Sequence, residues 1–131
     1  MVSERPKYSF EDLELYRKAR VFRRNVYRLV HRLPDEEKFA LVSQMRRAAI
    51  SLTNNIAEGH GRYHYQENIQ FLRQARGSLE ELQDDINICL DEKYAKADGL
   101  EQLKNQSYEL LKAINGYISY LRKRKRADND E

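Results

Sequence analysis

Tryptophan is absent from this chain, and cysteine, proline and glycine are scarce: one, two and five among 131 residues. The lone Cys89 has no partner for an internal disulfide, which excludes a disulfide-stapled scaffold and makes a reducing, cytoplasmic setting the expectation. Few prolines and glycines leave few places where a helix must break. No uninterrupted apolar run exceeds the four residues 39–42, far short of the roughly 20 that cross a membrane, so no membrane partner is expected. Residues 1–7 carry charges with no apolar stretch behind them, so no secretory signal is expected either.

What the chain has in quantity is charge. Asp, Glu, Lys and Arg make up 34% of it and apolar residues 40%, a balance that suits long, surface-charged helices. The net charge is only +3, but its distribution is uneven. Residues 10–33 hold seven Lys/Arg against three acids, and residues 63–94 hold three against seven. A basic run, Arg122-Lys123-Arg124-Lys125-Arg126, precedes an acidic end of Asp128, Asp130 and Glu131. Such segregation bears on partners more than the sum does.

The apolar residues repeat with helical spacing. Leu15, Ala19, Phe22, Val26, Leu29 and Leu33 predict a first helix opening at Ser9, with Asp12 as a capping-box acid, and stopping at Pro34. Asp35 is expected to cap a second helix from about residue 36 to Glu58 or His60, ended by Gly59 and Gly61. Leu72, Ala75, Leu79, Leu82, Ile86 and Cys89 mark a third from near Tyr65, fading between Lys93 and Ala97. Within it Gly77 costs roughly 1 kcal/mol relative to Ala unless a neighbouring backbone packs closely there. A fourth, capped by Asp98, carries Leu100, Leu103, Leu110, Ile114, Tyr117 and Leu121. Four helices of roughly 23 to 28 residues with short loops imply one all-α domain, an antiparallel up-down-up-down four-helix bundle. Residues 1–8 are expected as an arm and residues 122–131 as a basic, then acidic, tail.

Chemistry is sparse. Bundles that hold two metal ions use Glu-x-x-His motifs, and none exists here; His31, His60 and His64 lack a ligand set. Ser51 has no convincing local base, and Cys89 falls in an apolar register. Gly59-His60-Gly61 lacks the strand and lysine of a phosphate loop. No enzyme activity, metal or cofactor is expected.

The second helix is the informative segment. Gln44, Arg47, Ser51, Asn55 and Glu58 stack along one face beside an apolar stripe of Leu41, Met45, Ala48, Leu52 and Ile56. The polar stripe has three readings: an internal network fixing helix register, a subunit interface, or a ligand or nucleic-acid surface. Asn55 and Glu58 are assigned to structure, whereas Arg46, Arg47 and Arg62, with Arg73 and Arg76, stay open as a cationic surface. The run Arg122–Arg126 fits either a solvated helix end or phosphate binding. Tyr63, Tyr65 and Tyr120 lie near these cations and suit base stacking or a protein interface equally.

The segment Gln44 to Arg62, "QMRRAAISLTNNIAEGHGR", resembles the central motif of the four-helix-bundle proteins encoded in intervening sequences of 23S ribosomal RNA genes. The family pattern is matched at Gln44, Arg46, Arg47, Ala48, Ser51, Asn55, Ile56, Ala57, Glu58 and Gly59. Phe10 to Leu13, then Pro34, Glu37, Phe39 and Leu41, and then Phe71, Ala75, Gly77, Ser78, Leu79 and Glu81 resemble its other segments. The chain departs at Tyr16, where the aromatic is often Trp, and at Leu52-Thr53. The resemblance implies a cytoplasmic bacterial protein, a ring-shaped homopentamer and no enzyme activity. It also points to relatives that act as accessory proteins of diversity-generating retroelements, associated with a reverse transcriptase and with nucleic acid.

Two functions follow as expectations. One is a non-catalytic RNA- or DNA-binding ring acting as an accessory or scaffold, through Arg46, Arg47, Arg62 and Arg122–Arg126. The other is a protein-interaction scaffold, for example a reverse-transcriptase accessory subunit. Gln44, Ser51, Asn55, Glu58, Gly59 and Gly77 are the structural motif. A basic first helix diagonal to an acidic third helix independently favours head-to-tail self-association.

Overall fold

The computed structural model describes residues 9–129. The expectations for the arm at residues 1–8, and for Asp130 and Glu131 of the acidic end, lie outside the described residues. Four helices account for most of the rest: α1 Glu14–Val30, α2 Leu41–His60, α3 Tyr65–Asp91 and α4 Ala97–Asn129. Each packs against its sequence neighbour, and α1 also packs against α4, while the backbones of α1 and α3, and of α2 and α4, stay farther apart across the core. That is the expected up-down bundle, with the basic first and acidic third helices on a diagonal.

Helix lengths depart from the expected uniformity: 17, 20, 27 and 33 residues. The first two helices are short because each is preceded by a separate 3-10 turn. Ser9 does cap, accepting from the Glu11 amide at 3.3 Å, but it caps Phe10–Asp12 rather than α1. Leu13 is extended (φ −69°, ψ 123°) and interrupts the helix. The turn folds back on α1, with Phe10 edge-on to Tyr16 at 4.9 Å and Arg17 reaching the Glu11 carbonyl at 3.2 Å. At the other interruption Pro34, not Asp35, caps the turn Asp35–Glu37, and Ala40 leaves helical geometry before α2 begins. Phe39 is left 90% exposed there.

The α3 terminus has a physical cause that leaves little trace in the sequence. Lys93 takes a left-handed φ of 56°. Its amide bonds the Leu90 carbonyl and the Tyr94 amide bonds the Cys89 carbonyl, the paired bonds of a Schellman ending. Glycine ordinarily occupies that position, and its absence here blurred the boundary. The Tyr94 hydroxyl then donates to Glu37 at 2.8 Å, tying the α3–α4 connection to the α1–α2 connection. Asp98 lies in the first turn of α4, one position inside its start, where it still complements the helix dipole.

Phe22, Met45, Leu52, Ile56, Leu72, Leu79, Leu82, Ile86 and Ile114 are among the side chains fully buried between the helices. Each contributes roughly 1.5–3 kcal/mol by leaving water. Cys89 is among them, with no exposed surface, and burial first, then the nearby Asp85 and Glu37 charges, push its thiol up to about 11. It packs as a small hydrophobe.

Polar pairs hold α3 and α4 in one antiparallel register along their length. Lys104 donates to Asn87, Gln83 to Ser107 at 3.2 Å, Arg76 to Asn115 at 2.8 Å, and Lys125 to Gln66 at 2.8 Å. Tyr65 and Gln66 open α3, so the residues of α4 after Lys125 run beyond it.

Candidate functional site

The polar stripe of α2 faces α3. The Gln44 amide donates to Asp85 Oδ1 at 2.7 Å. Ser78 donates to Ser51 Oγ at 2.9 Å, and Asn55 donates to the Ser51 carbonyl and hydroxyl at 2.8 and 3.0 Å. The Gln44–Asp85 and Ser78–Ser51 bonds lock α2 to α3, and the Asn55 bonds brace Ser51 within α2, which accounts for polar residues on a half-buried seam. Arg47 and Glu58 are the exposed members: Glu58 accepts from Arg62 at 3.1 Å, one helical turn on.

Asp85 is the unusual partner in this seam. It has no exposed surface, and its Oδ2 has no hydrogen bond among the described residues. Burial pushes its carboxyl up to about 6; the Gln44 bond opposes that shift, and Glu81 and Asp84 add to it. Desolvation of the charged form thus outweighs its one good donor. No group of three or more His, Cys, Asp or Glu able to hold a metal exists among the described residues.

Gly59 does not end α2; the helix continues through it to His60, and Gly61 caps it with ordinary helical φ of −79°. Its role is proximity. A Cβ at residue 59 would stand 2.7 Å from Asn68 Oδ1 and 2.9 Å from the Phe71 Cβ. Asn68 is buried, hydrogen-bonded to Tyr117, with its Oδ1 unpartnered among the described residues. Only glycine lets α2 and α3 approach this closely. Gly77, by contrast, has open space where a Cβ would go, so no packing demand explains it.

Two of the basic groups picked out in the sequence lie at one end of the bundle. The end of α4 rests against Tyr65 and Gln66 at the start of α3, next along the chain from the α2–α3 turn that carries Arg62, Tyr63 and His64. Lys125 bonds Gln66, and a hydrogen bond with Tyr65 raises Arg124 above its usual range. Arg62 sits 4.7 Å over the Phe71 ring. Tyr63 is 93% exposed, and Tyr120 is exposed and stacked on Tyr117 at 5.9 Å. Arg122, Lys123 and Arg126 are exposed. Arg46 and Arg47 are not part of this cluster. They lie 15 or more residues up α2 from Arg62, over 20 Å at about 1.5 Å per residue, and Arg46 sits over Tyr27 of α1 at 6.0 Å.

A second basic surface, on α1, was legible only as a charge count. Arg20, Arg24, Arg28 and Arg32 repeat every four residues and are all exposed. A cleft of about 520 Å³ opens beside them between α1 and the start of α4.

Polar seams inside and segregated charge outside define an all-α four-helix up-and-down bundle. The chain is a member of the 23S rRNA-intervening sequence protein family, whose model matches residues 11–116. Arg122–Arg126 lie beyond that matched stretch. Among solved structures, the chain is similar to a protein of unknown function from the S23 ribosomal protein family of Bacteroides thetaiotaomicron, with 23% identity and a TM-score of 0.73. That likeness covers 79% of this chain and 97% of the other, and it shows the shared fold. Among curated proteins no relative matches the chain. No helix among the described residues is long and apolar enough to cross a membrane.

Proposed function

We propose that the protein is a non-catalytic nucleic-acid-binding scaffold that works as a homo-oligomeric ring. The observation that carries the first half is the end of α4, where exposed Arg122, Lys123 and Arg126 follow exposed Tyr120 on one helix and Arg124 and Lys125 are held against Tyr65 and Gln66 of α3. Cations that meet phosphates and flat rings that stack bases are the two parts of sequence-tolerant single-strand binding. The ring half rests on the diagonal: exposed Arg20, Arg24 and Arg28 of α1 point away from exposed Glu80, Glu81 and Asp84 of α3. Complementary faces on opposite sides favour head-to-tail contacts, which close into rings when the rotation permits.

Fluorescence anisotropy with single-stranded, duplex and structured RNA and DNA tests the binding. Affinity falls steeply between about 50 and 200 mM salt if phosphates are being neutralised. Failure of every probe at the lower salt overturns the reading. A partner retained in pull-downs after nuclease treatment, with no such binding, would instead make the chain a protein-interaction scaffold, such as a polymerase accessory subunit. A monomeric mass by light scattering at low salt removes the ring.

A further inference from the structure

We infer that the cleft between α1 and α4 is a binding site for a phosphomonoester, at the end of the bundle opposite the basic tail. Arg28 and Arg32 come from the last turns of the first helix and its exit, and Lys96 from the residue before α4. No carboxylate lines the cleft among the described residues. The side chains of Arg32 and Lys96 make no hydrogen bond or ion pair within the described residues, so their charges line the cleft uncompensated.

The site is held, not merely charged. Asn25 donates to Gln106 across the α1–α4 seam at 2.9 Å, and its own oxygen accepts from Arg28 at 3.1 Å, which orients that guanidinium. The first intrahelical bond of α4 runs from the Leu100 amide to the Lys96 carbonyl. The amides of residues 97–99 therefore have no helical acceptor and add partial positive charge beside Lys96. Gly99 lines the cleft with nothing within 4 Å of where a Cβ would be, leaving the backbone open to a close approach.

A phosphate dianion fits this set better than a carboxylate does, because two guanidinium forks and an ammonium supply more donors than two oxygens accept. The volume, about 520 Å³, exceeds what one phosphate fills and lies in the range of small-molecule pockets. Leu100 on the cleft wall and the amide of Gln102 provide apolar and polar surface for the remainder of an ester. A free nucleotide and the phosphorylated end of a nucleic acid share this chemistry.

Titration calorimetry of the full chain with inorganic phosphate, adenosine 5′-monophosphate and adenosine tests the site. Phosphate and the monophosphate should bind saturably and adenosine should not. Arg32→Gln and Lys96→Gln, both surface changes, should each weaken the monophosphate about tenfold, the loss of one charge-assisted contact. Lys123→Gln, in the basic tail, should leave it unchanged. An oligonucleotide with a 5′-phosphate that binds more tightly than its 5′-hydroxyl twin, with the difference lost in Arg32→Gln, assigns the site to nucleic-acid ends. Equal binding of the two, with saturable monophosphate binding, assigns it to free nucleotides. The inference is overturned if neither phosphate nor the monophosphate saturates, if adenosine binds as well, or if Lys123→Gln weakens binding as much as the cleft variants do. Because the Lys123 control reports on the tail alone, failure here and failure of tail binding are separate results.

Discussion

The side-chain oxygen of Asn68 stands 2.7 Å from where a β-carbon on Gly59 would be. One methyl group at residue 59 would therefore push against both the amide and the Phe71 side chain. Gly59→Ala should destabilise the fold by about 1–3 kcal/mol, as overpacking does. Gly77→Ala, where space is open and the helix gains from alanine, should stabilise by about 0.5–1 kcal/mol. Urea unfolding of the two variants gives opposite shifts of midpoint; shifts of the same sign would refute the close-approach account.

Asp85 should make stability fall as pH rises through the mildly acidic range. Well below pH 3.8 its carboxyl is protonated in folded and unfolded chains alike. Burial raises the folded value from 3.8 to about 6, so between those values the unfolded chain ionises first and gains on the folded one. The loss is on the order of 3 kcal/mol across that window and persists above it. Asp85→Asn should flatten the dependence and be the more stable protein at pH 8. Equal stability of the two at pH 8 would contradict it.

Lys93 holds a left-handed backbone that glycine adopts without strain. Lys93→Gly should stabilise by about 1 kcal/mol, keeping the two Schellman hydrogen bonds. Thermal melts against wild type read the change directly.

Arg122, Lys123 and Arg126 project from α4 without supporting its packing. Replacing all three with Gln should change stability by less than about 0.5 kcal/mol each while reducing the salt slope of nucleic-acid binding by up to about three. An unchanged slope would place phosphate contacts elsewhere, with the α1 arginines first in line.

The bundle was legible because its apolar residues keep a three-four rhythm, and a rhythm survives ignorance of every contact. Leu15 to Leu29 of α1 and Leu72 to Cys89 of α3 are buried where the spacing put them. The helix ends were harder. Ser9, Asp35 and Gly59 all look like boundary signals, yet two begin or sit in short 3-10 turns and the third is a contact point inside a helix. Local propensity does not report whether another helix lies 3 Å away. The same limit governs the site: Gln66 and Lys125 are 59 positions apart, and only the antiparallel return of α4 makes them neighbours. Arg28, Arg32 and Lys96 do not stand out as a group in the sequence for the same reason, since nothing near Lys96 marks it as facing α1.

The seam closed by Asn25 and Gln106 also has a kinetic meaning. Of the four helix contacts, α1–α4 is the one that joins segments distant along the chain, and α1 is the shortest helix. Every other contact is a hairpin, cheap to form early because little chain entropy is lost in closing it. The α1–α4 seam is then expected to close last and open first, with the short first helix as its more easily detached side. The amides of α1 should exchange with deuterium faster than those of α3, and a phosphate ester lodged against Arg28 and Lys96 should slow them. Occupancy at that edge would act as a latch on the most easily opened part of the protein.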